Sequence, residues 1–186
     1  MIFGHFLIDV NEANAFVVGC EETRDAALVD VADFDPRIEA FLARHELHLT
    51  TVFITHDHYD HTGGLRELLA KYDATVYSGK GHAGGRKTRV ARHGDTLRIG
   101  DIEGRVVETP GHTEEGISLI LPGMVFTGDA LFAGSVGGTT NPRDAQRQVQ
   151  TIREHILTLP DDYEIHTGHG PSSTVRIERT HNPFFV

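Results

Sequence analysis

Within six residues, His56-Asp57-His58-Tyr59-Asp60-His61, the chain places four donors, His56, His58, Asp60 and His61, at spacings that suit metal ions. They follow the apolar run Thr51-Val52-Phe53-Ile54, which reads as a buried strand. Residues two apart on an extended segment point to one side, so His56 and His58 can reach one ion together. Where the chain turns towards a helix expected from Thr62, Asp60 and His61 are redirected and can reach a second ion. A fold built around this segment has to end a buried strand at an open edge, with other loops close enough to complete two ligand sets.

Three more segments supply candidates. His112 lies in Thr109-Pro110-Gly111-His112-Thr113, Asp129 in Thr127-Gly128-Asp129, and His169 in Gly168-His169-Gly170-Pro171. Each follows a strand-like run and a glycine, which lets the backbone turn tightly and come close to an ion. Loops at strand ends are a common source of active-centre side chains. His166 rivals His169 but lies within the strand signal, so the glycine-flanked His169 is preferred.

The remaining elements define the architecture. Ala15–Val18 and Ala26–Val31 read as a hairpin around the polar turn Glu21–Asp25. A helix opens at Asp35-Pro36 and runs to about His45, with Ile38, Phe41 and Leu42 on one face. Leu65, Leu68 and Leu69 mark the helix after Thr62, and Ala74–Tyr77 reads as a strand. Ser78–Thr88, rich in glycine and basic residues, reads as a surface loop. Thr96–Ile99 and Ile102–Val107 pair around Gly100-Asp101, and Ile117–Leu121 pairs with Met124–Phe126 around Pro122-Gly123. A loop over Gly128–Asn141 precedes a helix from Pro142 to about Leu157; then come a strand at Tyr163–Ile165 and a short helix near Thr174–Arg179. Strands then helix, repeated, predict an α+β four-layer αββα sandwich, one domain over residues 1–186.

Composition narrows the function. Thirteen histidines support a metal site, and a single cysteine, Cys20, rules out an internal disulfide and a thiolate cage. Cys20 sits in Ala15-Phe16-Val17-Val18-Gly19-Cys20 and reads as a core residue. A formal charge of −10 disfavours nucleic acid and anionic membranes as partners. No apolar run reaches the roughly 20 residues of a membrane span, and Met1–Val10 lacks signal-peptide character. A cytoplasmic location is expected.

His-x-His-x-Asp-His, Pro-Gly-His, Gly-Asp and Gly-His-Gly-Pro in this order resemble the metallo-β-lactamase fold superfamily. Thr127-Gly128-Asp129-Ala130-Leu131-Phe132 and His169-Gly170-Pro171 with Asn182-Pro183-Phe184 resemble its bacterial glyoxalase II-like (hydroxyacylglutathione hydrolase-like) branch. The resemblance implies two divalent ions. His56, His58 and His112 would hold the first, Asp60, His61 and His169 the second, and Asp129 would bridge them. Imidazole and carboxylate without sulfur suit Zn2+, and Fe or Mn can occupy such a set. It implies hydrolysis of a small-molecule thioester such as S-lactoylglutathione, with a metal-bridging hydroxide as nucleophile, since two cations lower the pKa of water from about 15.7 towards neutrality. Asp60 is the candidate for carrying the proton to the leaving group. Two other readings of the same fold stand beside this one. A mononuclear Fe(II) persulfide dioxygenase would use His56, His112 and Asp129; a lactone or ester hydrolase would keep the dinuclear site.

Larger relatives add a C-terminal helical domain with glutathione contacts, whereas this sequence stops at Val186. Gly138 stands where relatives often carry a basic residue; Arg143 is either its replacement or a solvated helix residue. Lys80, Arg86, Lys87, Arg89 and Arg92 form a basic stretch that either attracts an anionic substrate or is a solvated loop. Tyr59 either faces the cleft or packs under the loop. The remaining histidines, His5, His45, His48, His82, His93, His155 and His181, lack ligand spacing and read as surface or packing residues.

Overall fold

Strands that are apolar on both faces have to be covered on both faces, and such strands form the two middle layers here. The computed structural model describes all 186 residues, Met1–Val186. The chain runs β1 (Ile2–Ile8), β2 (Ala13–Gly19), β3 (Asp25–Val29), α1 (Pro36–Arg44), β4 (His48–Phe53), α2 (Tyr59–Thr62), α3 (Leu65–Lys71) and β5 (Thr75–Ser78). Three two-residue strands follow: β6 (His82–Ala83), β7 (Arg86–Lys87) and β8 (Arg89–Val90). Then come β9 (Thr96–Ile99), β10 (Ile102–Glu108), β11 (Ile117–Leu121), β12 (Met124–Gly128), β13 (Leu131–Phe132) and β14 (Ser135–Val136). The chain closes with α4 (Pro142–His155), β15 (Glu164–Thr167), β16 (Ser173–Thr174) and α5 (Val175–His181).

Two six-stranded sheets result, ordered β1-β2-β3-β4-β5-β8 and β16-β15-β12-β11-β10-β9. Period-two alternation sorts their side chains into three cores. In β2, Ala15 and Val17 join Ile38 and Leu42 of α1 and Leu65 and Leu68 of α3. Their neighbours Phe16 and Val18 point the other way, into the layer shared with Leu119, Leu121 and Phe126 of the second sheet. On that sheet's far side Ile120 and Val125 meet Ile152 of α4 and Val175 of α5. Each of the larger of these side chains contributes about 1.5–3 kcal/mol on burial. The layers are helix, sheet, sheet, helix, in the order expected.

Caps set the two longer helices. Asp35 accepts from Arg37 N at 2.7 Å ahead of Pro36, and Asn141 accepts from Asp144 N at 3.0 Å ahead of Pro142. Four differences from the sequence reading emerge. β1 is an additional strand, antiparallel to β2, burying Gly4, Phe6 and Ile8 and exposing Phe3, His5 and Leu7. The helix expected from Thr62 begins earlier, at Tyr59, and is broken at Gly63-Gly64, because a Cβ on Gly64 would lie 2.4 Å from Asp33 C. The surface loop Ser78–Thr88 carries the hairpin β6–β7, and the loop Gly128–Asn141 carries the hairpin β13–β14. β15 begins at Glu164 rather than Tyr163 and extends to Thr167, so His166 is a strand residue. No helix is long and apolar enough to cross a membrane.

β3 and β4 run parallel, as do β12 and β15, and β10 shares their direction because both β10 and β12 pair antiparallel with β11. Their C-terminal ends therefore gather at one edge of the sandwich.

Candidate metal centre

Four segments converge at this edge. β4 delivers His56 and His58, and the turn α2 that follows delivers Asp60 and His61. His112 follows β10, Asp129 follows β12, and His169 follows β15. All seven candidate residues come together. His56, His58 and His112 form one group whose donor atoms lie within 4.8 Å of one another; Asp60, His61 and His169 form a second; His56, His61 and Asp129 form a third that joins them. Each group could hold a metal ion.

Distances give the arrangement its sense. His58 Nδ1 lies 3.1 Å from His56 Nε2 and 3.1 Å from His112 Nε2. One ring nitrogen carries at most one proton, so three converging nitrogens cannot satisfy one another, whereas a shared cation satisfies all three. On the other side His61 Nε2 is 3.3 Å from His169 Nε2, and Asp60 Oδ2 is 3.5 Å from His169 Nε2. Asp129 stands between, with Oδ1 3.4 Å from His61 Nε2 and Oδ2 3.6 Å from His112 Nε2 and 3.5 Å from His169 Nε2. Its Oδ1 is buried without a hydrogen-bond partner. A carboxylate oxygen left so, among imidazole nitrogens, fits a cation.

The outward nitrogens are held by the protein, which turns the inward ones to the centre. His61 Nδ1 donates to Asp30 Oδ2 at 2.8 Å, His112 Nδ1 to Gly138 O at 2.7 Å, and His169 Nδ1 to Asn11 O at 3.1 Å. His56 Nδ1 meets Thr55 Oγ1 at 3.0 Å, and Thr55 Oγ1 in turn donates to Asp30 Oδ2 at 2.8 Å. Asp30 also accepts from Thr55 N at 2.8 Å and is 1 % exposed. Asp30, Thr55 and Asn11 escaped the sequence reading. The one available signal was a carboxylate lodged inside the apolar run Ala26–Val31.

Charge is polarised accordingly. Burial, with His61 nearby, pushes the His56 imidazole down to about 2. Burial pushes His61 down as well, but the Asp30 charge outweighs it and raises His61 to about 10. Burial pushes the Asp129 carboxyl up; His61 outweighs it and holds Asp129 at about 2. Burial likewise works against the Asp60 charge, and Asn11 Nδ2, donating at 3.1 Å, helps bring its carboxyl below the ordinary value.

Gly168 allows the second sheet to approach. A Cβ there would lie 2.1 Å from Asp129 Oδ1 and 2.8 Å from His61 Cε1. His166 points elsewhere, its ring 4.8 Å from Phe3, 5.2 Å from Phe16 and 5.2 Å from Phe126, and burial pushes it down to about 4. Tyr59 is 74 % exposed rather than packed under the loop. Asp57 faces away from the centre, its Oδ1 accepting from Gly84 N at 2.7 Å. Of the basic stretch, Lys80 is bound by Glu115 at 2.9 Å, while Arg86 and Lys87 are exposed.

Comparison with known proteins points to one family. The model of the metallo-beta-lactamase superfamily matches residues 8–169. A hydroxyacylglutathione hydrolase of Actinobacillus pleuropneumoniae is 32% identical over 155 residues, 83% of this chain and 65% of that protein. Another, of Gloeobacter violaceus, is 36% identical over 170 residues, 89% of this chain and 66% of that protein. The chain thus spans just under two-thirds of these relatives' length. Among solved structures, ETHE1 from Myxococcus xanthus superposes with a TM-score of 0.86 at 34% identity, covering 98% of this chain and 84% of that one. TTHA1623 in a di-iron-bound form superposes with a TM-score of 0.84 at 26% identity, covering 97% and 99%. A family match over most of the sequence, on a fold that superposes along nearly its whole length, makes this chain a member of the metallo-beta-lactamase superfamily.

Proposed function

We propose that this chain is a metal-dependent hydrolase of small thioesters, S-lactoylglutathione among them, working with two divalent ions, with zinc as the expected metal. The observation that carries the reading is the second trio, Asp60, His61 and His169, standing complete beside the first and joined to it around Asp129. In this reading His56, His58 and His112 hold one ion, Asp60, His61 and His169 the other, and Asp129 both. The hydroxyacylglutathione hydrolases among the relatives support the thioester. When bound, the ions supply Lewis-acid polarisation of the acyl carbonyl and make water acidic enough to react near neutral pH.

The chain's own groups do the rest. Asp30 and Thr55 hold the rings of His61 and His56 in one orientation, and the Asn11 and Gly138 carbonyls do the same for His169 and His112. Asp60, held ionised, takes the proton released as water adds to the acyl carbon. It returns that proton to the thiolate when the C–S bond breaks, giving acid and thiol.

Metal content of anaerobically purified protein, measured with S-lactoylglutathione turnover on the same sample, tests this. Two zinc-like equivalents with turnover are expected. One iron per chain, no thioester turnover and oxygen uptake with glutathione persulfide would overturn it in favour of the mononuclear dioxygenase, the reading that the likeness to ETHE1 supports.

A further inference from the structure

Beside His112 opens a cavity of 570 Å3 with no hydrophobic side chain in its wall. Glu114, Asn141, Arg143 and Arg147 line it, and through Glu114 and Arg147 it adjoins a second cavity of 480 Å3 that reaches Arg92 and Glu108. Volumes of this order are those of ligand pockets, about 300–1,000 Å3, but such pockets are mostly apolar. An apolar acyl chain would find no partner here, while a charged, peptide-like group would.

The charges in the wall are not all spent on one another. Asp144 is engaged by Asn141 Nδ2 at 2.6 Å and Thr140 Oγ1 at 3.2 Å, and Lys80 by Glu115 at 2.9 Å. Arg143, Arg147 and Glu114 have no ion-pair partner. Arg143 and Arg147 stand four apart on α4, where two like charges disfavour the helix slightly. The wall that carries them is fixed to the metal centre. Gly111, at φ 147°, lies flat against α4, where a Cβ would come 2.3 Å from Gln148 Cβ. Buried Gln148 donates to Ala130 O at 3.0 Å and Gly137 O at 2.9 Å, tying α4 to the loop that follows Asp129. His112 and the stretch of α4 from which the exposed Arg143 and Arg147 side chains project therefore keep a constant relation.

We propose that Arg143 and Arg147 are specificity-determining residues that bind the carboxylates of a zwitterionic, peptide-like thiol such as glutathione, with Glu114 facing its ammonium group. This rests on the thioesterase reading only in placing the scissile bond beside His112. Both arginines belong to this chain, so carboxylate recognition needs no additional domain. A guanidinium suits the task because its planar fork matches a carboxylate.

Calorimetric titration of the metal-loaded protein with S-methylglutathione, a thioether with no bond to hydrolyse, and with its dimethyl ester separates recognition from turnover. The wild type is expected to bind the diacid about tenfold more tightly than the diester. R143A/R147A is expected to lose that preference and R143E/R147E to reverse it, with metal content and melting temperature unchanged in both. Equal affinity of the wild type for the two compounds, no binding of either, or a preference that survives R143E/R147E would overturn the proposal. A wild type that prefers the diacid yet leaves S-lactoylglutathione intact would sink the thioesterase reading and uphold this one.

Discussion

His61 and His58 leave the same short segment three residues apart, yet one is fully covered and the other is exposed. His61 belongs to an inner wall, with His56 and Asp129, backed by Asp30 and Thr55 between the sheets. His58 belongs to an outer rim with His112, Asp60 and His169, held by loop backbone, by the Asn11 side chain or by nothing beyond the centre itself. The inner wall is thus part of the protein's polar core, held by its own hydrogen bonds, whereas the rim would acquire its purpose from an ion. Substitutions should divide along the same line: those in the inner wall cost stability, those on the rim cost function alone.

The largest effect is expected at Asp30. Asp30→Ala strands the Thr55 N–H, the Thr55 hydroxyl and the His61 ring inside the core. Breaking a buried charged pair costs about 3–5 kcal/mol, read as a fall in unfolding free energy of the metal-free protein in urea. A loss below about 1 kcal/mol would mean that the inner wall is not built in advance of the ion. Next comes Gly168→Ala, whose Cβ collides with Asp129 Oδ1 and the His61 ring. Overpacking of this kind costs about 1–3 kcal/mol. Dialysed protein should also retain clearly less metal than wild type, and full retention would show that Asp129 can give way.

A third substitution tests the segment between wall and rim. Asp57 lies between His56 and His58, and its carboxylate faces the hairpin β6–β7. Asp57→Ala should cost about 1 kcal/mol and speed hydrogen exchange at the Gly84 amide, while metal content stays at the wild-type level. Loss of metal would place Asp57 in the centre and undo the period-two reading of this segment.

The extent to which the sequence foretold this arrangement follows from the range of the forces involved. The four layers were legible because the order of strands then helix, twice over, is a local reading, and runs apolar throughout such as Ala15–Val18 have both faces to cover. β1 alternates in burial, but Gly4 among its buried positions dilutes the apolar pattern of Met1–Val10. The early start and the break of α2–α3 were not legible, since Gly64 is demanded by the backbone of Asp33, a tertiary contact. The seven candidate donors could be read from donor chemistry and glycine-flanked turns. Asp30 could not, because its partners Thr55 and His61 lie 25 and 31 residues away. Arg143 was legible only as a choice between anchor and solvated residue, and what favours the anchor is the cavity it lines with Arg147.

The smallest effect on stability, and the clearest test of the division, is expected at His58. Its side chain is exposed, and its Nδ1, with at most one proton to give, faces the Nε2 atoms of both His56 and His112 at 3.1 Å. Without an ion, removing that ring uncovers no buried donor, so His58→Ala should leave the metal-free protein within about 0.5 kcal/mol of wild type. The loaded protein should behave oppositely. With one donor of the first trio gone, metal content should fall towards one equivalent, and S-lactoylglutathione turnover should drop by about a hundredfold, the upper range for disturbing a metal site. A destabilisation of the metal-free protein above about 2 kcal/mol would make His58 part of the fold and erase the distinction between wall and rim. Full turnover with one equivalent of metal would leave the distinction standing but move catalysis onto the second ion, the one that Asp60, His61 and His169 would hold with Asp129.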